Sequence, residues 1–276
     1  MVGLALAGAV AFVIVAIVLL RPAPEGAQAP WVRFNSEDVH SLAFVANDPQ
    51  HILFGHHAGL EESRDGGRTW SPLSLERDAM GMSTAVDGSI VIAGHDVFVA
   101  SPDRGTTWAP IDADLPSLDI HAFARDPSDP RRMWAYLATG GLWESTDYGV
   151  HWTNVREPIV LFLVAVRDRG ATRIFGLDAS GLATSIDGGR TWTALTTPPT
   201  FPLTGLAASA DGMVLYAGAT DGLHRSGDGG QSWARTAYRG SAHAIATSSD
   251  GRVVAVVSRQ TEFFRSDDGG DTWPGP

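Results

Sequence analysis

The chain has 276 residues, a net charge of −11 and no cysteine. The acidic balance and the lack of any basic run argue against a nucleic-acid partner, whose phosphates require clustered cations, and the missing Cys excludes disulfides, thiolate metal sites, Cys nucleophiles and lipoprotein acylation. Apolar residues at 44%, with Gly 31 and Pro 16 against 18% charged residues, predict an all-β chain of short strands joined by tight turns.

Val2 to Leu20 is a stretch of 19 residues without a charge, which as a helix would extend about 28 Å, close to the hydrocarbon thickness of a bilayer. A cleaved signal carries a basic start and a shorter apolar centre. Neither is present, and the cleavage-like Ala27-Gln28-Ala29 is followed by Pro30. The expectation is therefore a transmembrane anchor over residues 1–20, followed by a stiff, extended linker over 21–30. Arg21 and Arg33 follow the helix, so charge counting alone favours a cytoplasmic C-terminal domain.

Beyond residue 31 the chain repeats one phrase, Ser-x-Asp-x-Gly-x-Thr-Trp. It starts at Ser63, Ser101, Ser145, Ser185, Ser226 and Ser266, at intervals of 38, 44, 40, 41 and 40 residues. A near-constant period of this size signals radially arranged units, and each period holds four apolar runs, the number of strands in a propeller blade. In the fifth repeat the strands are expected at 203–208, 213–217, 222–225 and 233–237. In the first they are expected at 42–46, 52–55, 60–63 and 70–73. The expected architecture is a six-bladed β-propeller over residues 31–276.

The repeated phrase reads as a turn between the third and fourth strands, with Ser and Asp oxygens bonding the backbone and Gly taking positive φ. Asp65, Asp103, Asp147, Asp187, Asp228 and Asp268 are accordingly structural, since six identical carboxylates cannot all face one active site. Tyr148 and His151 in the third copy, Ser232 in the fifth and Arg104 in the second depart from the pattern, but every copy keeps its Ser, Asp, central Gly and Trp. After Trp273 only three residues remain, too few for a fourth strand. Residues 31–35, Trp31-Val32-Arg33-Phe34 with their neighbour, are expected to supply it and close the ring.

These phrases resemble the Asp-box, or bacterial neuraminidase repeat, of sialidases, sortilin-type receptors, xyloglucanases and photosystem II assembly factors. The resemblance covers Ser63 to Trp273 and implies the propeller fold; it says little about function. Propellers of this kind behind an apolar N-terminal segment are mostly exported, which implies a periplasmic or extracellular disc despite the charge count. Gly55-His56-His57-Ala58-Gly59-Leu60, Asp78 to Met82, Gly94-His95 and Leu118 to Phe123 are similar to an uncharacterised bacterial Asp-box family labelled glycosyl hydrolase, a label that derives from the box.

In a propeller, loops entering the first strand share a face with loops joining the second and third, opposite the boxes. That face is expected to collect His40, His57, Asp78, His95, Asp119, His121 and His243 as a candidate binding face, with Asp38, His56, Asp96, Asp178 and Asp221 nearby. Such groups hold divalent ions or transfer protons. No His-x-x-x-His spacing occurs, however, and a ring of repeats brings equivalent residues together automatically. The expectation is a polar, hydrated channel mouth without cofactor, metal or catalytic residue.

Three functions are weighed. Sialidases use three Arg, a Tyr–Glu pair and an Asp; this chain lacks their early Arg-Ile-Pro signature, and Arg173-Ile174-Phe175 lies mid-chain in a second strand. Blades of about 40 residues also leave no long loops for a deep sugar pocket. The reading favoured over a sialidase-like glycoside hydrolase or a ligand or glycan sensor is a membrane-anchored binding or scaffold module. It would act as an accessory or assembly subunit of an integral-membrane complex, photosynthetic or respiratory. The photosystem II assembly factor is similar in repeat type and in its extracytoplasmic location, though that family usually has seven blades.

Overall fold

The computed structural model describes residues 28–156, 162–178, 181–196, 198, 200 and 202–276. The expected anchor over 1–20 and most of the linker lie outside them. Among the described residues no helix is long and apolar enough to cross a membrane.

The described residues form six four-stranded antiparallel sheets, as the period predicts. In the first blade the strands are Ser41–Phe44, Ile52–His56, Gly59–Ser63 and Ser71–Pro72. Inner strands of successive blades adjoin around the ring, and the last, Ala242–Thr247, meets the first. The inner strands carry residues of intermediate burial among buried ones, because one side lines the channel and the other enters the core between blades. Second strands such as Ile90–Gly94, Leu215–Ala219 and Val254–Ser258 are buried along their whole length. Neighbouring blades cover both of their faces, which is why they read as continuous apolar runs rather than alternating ones.

Val32–Arg33 pairs with Glu262–Ser266, placing Val32 opposite Phe263 and completing the sixth blade. Trp31 N donates to Phe263 O at 2.8 Å and Phe34 N to Thr261 O at 2.9 Å. Around this seam Phe34 packs on Phe54 and Trp70 at centroid distances of 4.4 and 4.9 Å, with Phe263 fully buried beneath. The segment around Val32 thus supplies the outer strand of the sixth blade, next to the first blade against which Phe34 packs.

Strand limits differ from expectation in three places. In the first blade the inner strand, expected over 42–46, ends at Phe44, because Val45–Asn47 turn with Ala46 at φ 54°. In the fifth blade the second strand begins at Leu215 rather than Met213, because Ser209 Oγ accepts Val214 N and Asp211 accepts Met213 N, committing those residues to a turn. Outer strands are two residues long in every blade but the third, where Trp152–Arg156 extends fully. The repeat's Trp therefore mostly precedes the outer strand instead of opening it.

All six repeated turns form with one hydrogen-bond scheme. In the first, Ser63 Oγ donates to Asp65 Oδ1 and accepts Gly67 N, Asp65 Oδ1 accepts Thr69 N, and Asp65 Oδ2 accepts Thr69 Oγ1 at 2.6 Å. The departures preserve it. His151 Nδ1 takes the Thr position on Asp147 at 2.6 Å, and Ser232 Oγ does so on Asp228 at 2.5 Å. Gly67 at φ 98° lies against the Phe263 ring, where a Cβ would clash, so this Gly is required by backbone and packing together. The Thr69 hydroxyl and N–H hold the Asp65 carboxyl down at about 2, as the Thr191 pair does for Asp187.

Candidate functional site

The mouth opposite these turns is built by two kinds of short connection and one inner strand in the first three blades. Residues just before the inner strands contribute Asp38, His40, Asp78 and Asp119; the second-to-third strand turns contribute His57 and His95; and the inner strand Ile120–Arg125 contributes His121. Backbone bonds pin these pieces to one another. His57 N donates to Asp38 Oδ1 at 2.9 Å, Ala79 N to His56 O at 3.3 Å, and Asp96 N to Leu118 O at 3.1 Å. Gly94 has a specific role, since a Cβ there would lie 2.4 Å from Asp78 O. Only a glycine lets the Asp78 loop pass beneath His95.

The result is an arc of alternating imidazoles and carboxylates. Asp78 is its buried centre, with 6% of its side chain exposed: His95 Nδ1 lies 2.5 Å and His57 Nδ1 3.7 Å from Oδ2, and His40 Nε2 lies 3.2 Å from Oδ1. None of these contacts has the alignment of an N–H···O bond, so both Asp78 oxygens and His40 Nε2 are buried without a hydrogen-bond partner among the described residues. His95 continues the arc through Nε2, 3.3 Å from Asp119 Oδ1, and the same oxygen is bonded by His121 Nε2 at 3.0 Å. Three overlapping sets have donor atoms within 4.8 Å of one another: Asp38, His40 and His57; His57, Asp78 and His95; and His95, Asp119 and His121. Each fits the ligand types of a divalent transition metal.

Six of the seven residues expected at this face thus join one array. His243 stands apart in the sixth blade, on the channel wall, its Nδ1 buried without a hydrogen-bond partner among the described residues. Burial chiefly lowers its pKa, helped by Arg259 and His40. Asp221 faces the mouth from the fifth blade and accepts Thr200 Oγ1 at 3.0 Å, away from the arc; the Asp178 side chain lies outside the described residues. Below the arc the channel encloses about 780 Å³, with His40, His121 and His243 at one end and Arg125, Ala210 and Ser249 toward the other.

Some polar groups invisible to sequence reasoning are fasteners between blades. Glu144 grips Arg132 at 2.6 Å and Arg190 at 2.8 Å across the third and fourth blades. Arg125 reaches Ser89 O at 2.8 Å, and burial pushes its pKa down to about 10. No spacing in the sequence signals the Glu144–Arg190 and Arg125–Ser89 pairs, because each joins residues from different periods.

The Niastella koreensis GH74 enzyme superposes with a TM-score of 0.58 at 15% identity, over 86% of this chain and 46% of that one. YCF48 from Cyanidioschyzon merolae gives 0.55 at 19% identity, over 89% and 87%. YCF48 bound to D1 peptide gives 0.58 at 18%, over 85% and 95%. The chain is a β-propeller. It spans less than half the length of the Niastella enzyme, and at these identities the likeness extends to the propeller fold alone. No family profile and no curated protein matches the chain.

Proposed function

We propose that this propeller is a non-catalytic, membrane-tethered binding module on the extracytoplasmic side, serving as a scaffold or assembly subunit of an integral-membrane complex, photosynthetic or respiratory. The repeated turns are read as Asp-boxes, fold-bearing and remote from the binding face. The observation that carries the proposal is the His/Asp arc. It is a preorganised polar surface drawn from three blades, at the mouth of a ring in which groups such as Glu144 and Arg125 fasten neighbouring blades. YCF48, a propeller of similar extent, has been captured with a peptide, which supports protein binding as the use of such a disc.

The likeness to GH74 enzymes favours a second reading, glycoside hydrolysis. The mouth argues against it: Asp78 and Asp119 sit on opposite nitrogens of the single His95 ring. An imidazole therefore occupies the space in which two catalytic carboxylates would flank a sugar bond.

Purification of the full chain from detergent-solubilised membranes tests the proposal. A stoichiometric integral-membrane partner that is lost in His121→Ala is expected. A monodisperse single protein, or a partner retained unchanged in His95→Ala and His121→Ala, would reject it. Release of reducing sugar from xyloglucan would favour the hydrolase.

A further inference from the structure

The centre of the arc is electrostatically unfinished. Asp78 is more than nine-tenths buried, and a carboxylate so placed without an aligned donor is costly. Two imidazole Nδ1 atoms, of His57 and His95, converge on one of its oxygens from the solvent side, and neither is oriented to donate to it. A bound dication resolves this arrangement, since it attracts the carboxylate and both nitrogen lone pairs at once.

We propose that His57 Nδ1, Asp78 Oδ2 and His95 Nδ1 form a divalent transition-metal site, with Zn²⁺ the ion they suit best. Donors around a tetrahedral Zn²⁺ at ordinary bond lengths stand about 3.4 Å apart. The contacts of Asp78 Oδ2 with His95 and His57, at 2.5 and 3.7 Å, bracket that value, so a small outward turn of the His95 ring accommodates the ion.

Beyond the ligands, the arrangement also matches a metal-bound imidazole. Asp119 Oδ1 stands 3.3 Å from His95 Nε2, on the ring nitrogen opposite the ligand atom. A carboxylate there draws the ring proton to Nε2 and leaves the Nδ1 lone pair for the ion. His121 holds Asp119 in turn at 3.0 Å.

Two His and one carboxylate leave a fourth position. The His57 and His95 side chains are 70% and 44% exposed, so that position faces the mouth and accepts water or an oxygen or imidazole donor from a docked molecule. The site does not depend on which partner the disc serves.

The test is Zn²⁺ titration of tag-free, chelator-treated full-length protein in detergent by calorimetry, with metal counted after dialysis, and Co²⁺ absorption as a probe of four-coordination. One Zn²⁺ per chain is expected, lost in Asp78→Asn and in His57→Ala, and weakened about 10- to 100-fold in Asp119→Asn. His57 is exposed and its loss leaves the core untouched, so a folded variant is assured even if another fails; circular dichroism verifies each. His151→Ala, on the opposite face, should bind as the parent does. Absence of stoichiometric Zn²⁺ in the parent protein, or binding unchanged in both His57→Ala and Asp78→Asn, overturns the site. Either result is independent of whether a membrane partner co-purifies.

Discussion

The two faces of the ring use the same residue types to opposite ends. On the turn face, each Asp is satisfied by groups within five residues of itself, as Asp65 is by Ser63, Arg68 and Thr69. On the mouth face, Asp78 meets His40, His57 and His95, contributed from two blades, and none of them donates a hydrogen bond to it. A polar group satisfied locally stabilises its own turn. One assembled from distant segments and left unsatisfied is a place where a ligand gains more than the protein does by folding alone.

This contrast is open to several perturbations. The largest effect belongs to neither face but to the seam that supports both: Phe263→Ala should cost about 3–5 kcal/mol by opening a cavity among Trp31, Trp70 and Phe54, read as a lowered denaturation midpoint. On the turn face, Ser101→Ala removes the buried acceptor of Gly105 N and the donor to Asp103. About 1–3 kcal/mol should be lost in chemical denaturation.

Asp78→Asn should do the reverse of the turn-face change. Removing a buried carboxylate that has no aligned donor should leave thermal stability unchanged or raise it, and a marked loss would show that Asp78 is a fastener after all. Gly94→Ala, whose Cβ meets Asp78 O, should weaken Zn²⁺ binding and lower stability by about 1–3 kcal/mol, because the clash is with backbone.

Acid should act on the turn face. The Asp65, Asp147 and Asp187 carboxyls are held at about 2, below the ordinary 3.8, so their contribution is fully present above about pH 4 and is lost as pH falls toward 2. The smallest effect is at His151, whose pKa is raised first by its hydrogen bond to Asp147. Its contribution is fully present below pH 6.5 and fades as pH rises through the raised value; the His151→Thr variant should lose that alkaline slope while keeping the acid one. Both are readable as the denaturation midpoint against pH.

The period of the Ser-x-Asp-x-Gly-x-Thr-Trp phrase determined the blade count and the four strands per blade, because these depend on local turn chemistry and on counting, and the expected closure by residues 31–35 is met by the pairing of Val32–Arg33 with the sixth blade. Even the substitutions His151 and Ser232 were legible as tolerable, since every copy keeps its Ser, Asp, central Gly and Trp; that each still donates to its Asp is what the structure adds. The same alignment put His40, His57, Asp78, His95, Asp119 and His121 on one face. It gave no reason to separate His243 from them, or to see Asp78 as their centre. That ranking came from tertiary structure alone. It arises where Gly94 lets one blade's entering loop slide under another turn, burying a carboxylate and aiming two imidazoles at it, and neither depth nor side-chain direction is written in spacing along the chain.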